Sequence, residues 1–92
     1  MTFEAHQRFV VASDVLARTV DGEAVVLDLA SGAYFGLNSV GTVVFERVQA
    51  GASVDEIGAH VVAEFEVDPA RAAGDVATLL AQLVAKRLIH PA

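Results

Sequence analysis

The chain has 92 residues, is 54% hydrophobic, and carries a net charge of −6 from 12 acidic and 6 basic residues. That length is one domain burying roughly 60–65% of its extended surface, a thin core that excludes a deep enclosed active site. The apolar content excludes disorder, and the scattered Arg8, Arg18, Arg47, Arg71, Lys86 and Arg87 exclude a basic face for nucleic acid.

Along the chain, residues 1–8 show no periodicity and are expected to form a loose arm, within an N-terminal arm of residues 1–14. Phe9-Val10-Val11 reads as a short edge strand. Residues 15–20 alternate and read as a strand, and Asp21-Gly22 follows with strong hairpin chemistry. Residues 23–29 contain Ala24-Val25-Val26-Leu27, apolar on both faces, as a central strand requires. Ser31-Gly32 turns the chain into a third strand, Ala33-Tyr34-Phe35-Gly36-Leu37.

Three helices follow. Asn38 is an N-cap, Val40, Val44, Phe45 and Val48 form one stripe, and Gly51 stops the first helix. Ser53 and Glu56 form a capping box for a second helix that turns Ile57, Val61 and Phe65 inward. Asp68-Pro69 opens a third helix running to about Leu88, with Ala72, Val76, Leu79, Leu80 and Leu83 apolar and Asp75, Thr78, Gln82 and Lys86 polar. The expected class is α+β and winged-helix-like, a three-stranded antiparallel sheet followed by three helices, with residues 15–92 as the domain.

A search for chemistry finds no catalytic set. The chain has no cysteine, hence no thiol nucleophile, disulfide or Cys-ligated zinc. His60 and Glu64 lie four apart, but with no further ligand nearby they read as a solvated face rather than a metal site. Gly36-Leu37-Asn38-Ser39-Val40-Gly41-Thr42 has the spacing of a phosphate loop without its lysine. No serine has a suitably spaced histidine, and the carboxylates sit on helix surfaces and first turns. No cofactor or metal is expected. No run of about 18 apolar residues is present, so no membrane span is expected. The first residues lack the basic-then-apolar order of a signal peptide, leaving a cytoplasmic protein as the expectation.

Binding is what remains. A small sheet has two edges, and natural edges are usually blunted by Lys, Pro or a bulge. The strand at residues 33–37 has none of these. At an edge it can accept an extended peptide as an added strand, with the third helix as the opposite wall. The competing reading covers that edge with the N-terminal arm or with a second copy, giving a dimer.

The residues also carry a resemblance. Val25-Val26-Leu27-Asp28-Leu29-Ala30-Ser31-Gly32-Ala33-Tyr34-Phe35-Gly36-Leu37-Asn38-Ser39-Val40-Gly41 resembles the PqqD family. So do Ser53-Val54-Asp55-Glu56-Ile57, Phe65-Glu66-Val67-Asp68-Pro69, Asp75-Val76 with Leu79-Leu80-Ala81-Gln82-Leu83, and Leu88-Ile89. The likeness covers about residues 15–89. It implies a non-enzymatic domain that binds the leader region of a ribosomally made precursor peptide and presents it to modifying enzymes. The Tyr34-Phe35-Gly36-Leu37-Asn38 form is most similar to stand-alone members of lasso-peptide clusters, which implies a leader peptidase as partner. Other peptide classes and quinone-cofactor synthesis are the alternatives within the family, and a protein-interaction module is the alternative outside it. Carried onto this sequence, the leader is expected beside Ala33, Tyr34, Phe35, Gly36 and Leu37, with Asp75, Val76, Leu79 and Leu83 facing it from the helix. For the three helix hydrophobics, ordinary core burial is the competing role, and for Asp75 it is plain solvation.

Overall fold

Short apolar strands and well-capped helices give the chain its element order. The computed structural model describes residues 3–92, so the first two residues of the expected arm lie outside the described residues. The elements are β1 (Phe9–Val11), β2 (Val15–Val20), β3 (Glu23–Asp28), β4 (Tyr34–Gly36), α1 (Ser39–Gln49), α2 (Val54–Phe65), α3 (Pro69–Ala85) and β5 (Ile89–Pro91).

β2, β3 and β4 form an antiparallel sheet in that order. Asp21 and Gly22 have φ of 52° and 81°, both left-handed, as the tight turn between β2 and β3 demands. β1 does not edge this sheet. It pairs antiparallel with β5, with Val10 opposite His90, in a second, two-stranded sheet. The expected third strand is shorter than residues 33–37, although Ala33 and Leu37 each still bond to β3.

Each helix start matches its cap chemistry. Asn38 Oδ1 accepts the Gly41 N–H at 2.8 Å, Ser53 and Glu56 cap each other's backbone, and Asp68 accepts from Ala70 and Arg71. The third helix ends at Ala85, short of the expected Leu88. Arg87 takes φ 60° there, Leu88 N–H bonds Leu83 C=O, and Arg87 N–H bonds Val84 C=O. That is a Schellman termination with arginine where glycine is usual. α1 ends the same way at Gly51, φ 82°.

The helices pack on one face of β3 and on the β1–β5 pair. Val26, Phe45, Ile57, Leu80 and Leu88 are wholly buried where these layers meet. Phe9, inside the segment expected as an arm, is in that core, and Phe3 packs edge-on against it with ring centroids 5.2 Å apart. Among the described residues, no helix is long and apolar enough to cross a membrane.

Candidate functional site

β4 has β3 on one side and, among the described residues, no strand on the other. In an antiparallel ladder, successive residues alternately face the partner strand and face away. Leu37 N–H bonds Ala24 C=O and Asp28 N–H bonds Ala33 C=O, both at 2.8 Å. Val26 pairs with Phe35 between these two bonds. The main-chain groups of Phe35 therefore face β3, and those of Tyr34 and Gly36 point out from the free edge. The edge thus presents two donors and two acceptors on two residues, not along the whole of residues 33–37.

Thr42 fixes this edge from below. It is buried in the first turns of α1, its Oγ1 accepts the Ala24 N–H at 2.7 Å, and its hydroxyl reaches Leu37 C=O at 3.5 Å. One side chain thus ties the end of β4 to β3 and α1. The sequence carried no signal for it, since a threonine inside a helix reads only as a weak helix former.

Side chains alternate as well. Phe35 lies opposite the buried Val26 and faces inward, half-buried, toward α3. Tyr34 faces outward and is 74% exposed, so the two aromatics expected together in a groove stand on opposite faces. Leu37 and Leu79 both come within 3.5 Å of where a Cβ on Gly41 would sit, so this glycine lets β4's end, α1 and α3 converge. Leu79 is half-buried beside that point. Val76 and Leu83, expected on the same wall, are 1% and 2% exposed and belong to the core. Asp75 is exposed and pairs with Arg71 at 3.7 Å. Lys86, one turn beyond Gln82 on the polar stripe, places its ammonium 5.0 Å from the Phe35 ring centroid. That contact bridges from α3 to β4 (a cation over an aromatic face).

The outer face of the sheet carries an apolar row, with Arg18 opposite Val25 and Glu23 opposite Val20 on the same face. Leu16, Leu27 and Tyr34 form one cross-strand row, and Val20 and Val25 stand beside it. Leu16 and Val20 are more than half exposed.

Other clusters are solvated. His60 and Glu64 stand 3.9 Å apart on the surface of α2. Among the described residues, no three His, Cys, Asp or Glu side chains gather to hold a metal. Glu56 has a carboxyl held below the ordinary glutamate range, first by the Ser53 backbone N–H, then by the Ser53 side chain and the Arg8 charge.

The model of the PqqD family, coenzyme PQQ synthesis protein D, matches residues 23–89. The chain belongs to the PqqD family. The matched stretch of this PqqD-family chain runs from the start of β3 to the first residue of β5, so it holds the free edge, Thr42, Leu79 and Lys86. Two solved structures are similar over nearly the whole chain. One is TbiB1 in complex with the TbiA(beta) leader peptide, 31% identical over 88% of this chain and 94% of that one, with a TM-score of 0.84. The other is lasso peptide synthetase B1 complexed with the leader peptide, 26% identical over 91% of this chain and 99% of that one, with a TM-score of 0.83. A search of curated proteins finds no match.

Proposed function

We propose that this PqqD-family chain binds the leader region of a ribosomally made precursor peptide as a strand added to β4, and presents it to a modifying enzyme of lasso-type biosynthesis. The observation that carries this reading is the open edge at Tyr34 and Gly36, with Leu79 of α3 and Lys86 at its end reaching the inner side of β4, in a fold whose two similar structures each hold a leader peptide. Main-chain groups supply affinity there, and inward side chains supply selectivity. Ala33 and Leu37 end the strand, Phe35 and Leu79 line the inner side, Asp75 stands at the rim, and Val76 and Leu83 support the wall from the core. The chain acts by binding, with chemistry left to its partner.

The apolar row on the outer sheet face supports docking of that partner beside the leader. It is continuous with the added strand past Tyr34, so an enzyme covering Leu16, Leu27 and Tyr34 meets the leader at the same time. Leu16→Glu is expected to abolish co-elution with the modifying enzyme and to leave leader affinity unchanged.

The direct test is a fluorescence-polarisation titration with the labelled leader of the precursor encoded beside this chain, and a scrambled leader as control. Saturable binding in the roughly nanomolar-to-micromolar range, about −8 to −12 kcal/mol, is expected for the intact leader alone. Equal binding of both peptides, or of neither, refutes the reading. The family model's description favours one second reading, service to a quinone-cofactor precursor. Tighter binding of that precursor than of the lasso leader selects it.

A further inference from the structure

Of the Lys and Arg side chains in no ion pair among the described residues (Arg18, Arg47, Lys86 and Arg87), Lys86 is the one whose ammonium lies over the Phe35 ring on the inner side of β4. Arg8 pairs with Glu56 at 3.3 Å and Arg71 pairs with Asp75 at 3.7 Å. Lys86 is in no such pair among the described residues; its ammonium rests on the Phe35 ring instead, 5.0 Å from the centroid. That contact orients the lysine toward the sheet from the end of α3, and leaves its donors free.

A strand added to β4 puts one of its residues directly opposite Phe35, on the same face. Residues so opposed have Cβ atoms about 4.5–5.5 Å apart. That side chain enters between the sheet and α3, beside the Lys86 ammonium. A chain of net charge −6 repels acidic peptides at long range. A carboxylate on the bound strand is therefore best accommodated where this cation faces it.

We infer that Lys86 recognises an Asp or Glu side chain of the leader, at the residue lying opposite Phe35. The inference rests on the leader-binding reading above and adds to it the charge of one leader position. It makes Lys86 a selectivity residue, while the main chain of Tyr34 and Gly36 accepts any sequence.

The test is fluorescence polarisation with the labelled neighbouring leader, using wild-type protein, Lys86→Met and Lys86→Glu at low and high salt. Lys86→Met keeps most of the apolar stem and removes the charge. It is expected to weaken binding about three- to fivefold, as loss of a partly exposed ion pair does, and to flatten the salt dependence. Lys86→Glu is expected to bind at least roughly tenfold more weakly. One leader variant, with a single acidic residue changed to Lys, is expected to restore its affinity. Urea midpoints of both variants are expected to match wild type, because Lys86 is exposed. If wild type binds and Lys86→Met binds identically with the same salt slope, the Lys86 assignment is overturned and leader binding stands. If Lys86→Glu is weak but no leader charge swap rescues it, the assignment is likewise overturned. If wild type does not bind the leader, both fall together.

Discussion

Replacing Gly36 with proline tests the edge at the level of a single hydrogen atom. The Gly36 N–H points to the free edge, so it is bonded only when a strand is added. A Cβ at Gly36 meets nothing within 4 Å, and the residue before it already lies in a strand, as proline prefers. Edge strands tolerate proline where the lost N–H faces solvent. The free protein should therefore keep its stability to within about 1 kcal/mol. In the complex, a leader carbonyl is left against the proline ring without a donor. An unmet buried acceptor costs about 1–3 kcal/mol, which raises Kd by about 5- to 160-fold. Gly36→Ala keeps the N–H and should bind within about twofold of wild type. Phe35→Pro removes an N–H that faces Val26, so its first effect should be lost stability rather than a clean loss of affinity. Polarisation titrations and urea unfolding on the same samples separate these effects. A folded Gly36→Pro variant with wild-type affinity would refute strand addition at this edge.

Three further outcomes are expected. Thr42→Val keeps the shape but leaves the Ala24 N–H buried without its acceptor, so urea unfolding should show a loss of about 1–3 kcal/mol. Arg87→Gly relieves a left-handed arginine and should stabilise the fold by about 1 kcal/mol, raising Tm by roughly 4–8 °C; an unchanged Tm would show that the arginine bears no strain. The Glu56 carboxyl has a lowered folded pKa, so its contribution is present above the unfolded value of about 4.3 and is lost as pH falls through the folded value. The gap in urea midpoint between wild type and Glu56→Ala should therefore close on acidification, and a gap that stays constant would refute the linkage.

The features legible in the sequence were those carried by a few adjacent residues. The Asp21-Gly22 turn, the caps at Asn38, Ser53 and Asp68, and the strands at residues 15–20 and 23–28 are local, and each stands as read, although β2 buries only Val15 rather than alternating. The β1–β5 pairing was not legible, because three-residue strands at opposite ends of a chain have too little pattern to point to each other. The end of α3 was misplaced because the left-handed residue is Arg87, not the glycine that marks such an end. Within the candidate site, the sequence identified the strand but not which of its main-chain groups are open, since that depends on register against β3. It placed Tyr34 and Phe35 together although neighbours on a strand must face apart. The Lys86–Phe35 contact joins residues 51 apart in number, beyond the reach of any periodicity.

The pairing of β1 with β5 brings residues 9–11 beside residues 89–91 in a sheet separate from the one with the free edge. A protein fused after β5 is therefore expected to leave the molecule from this second sheet and to leave β4 open. Joining the end of β5 to the segment ahead of β1 through a linker and opening the chain at Asp21-Gly22 should give a circular permutant that keeps every strand pair. In it the accepting edge would be unchanged while the order of the elements was rearranged around it.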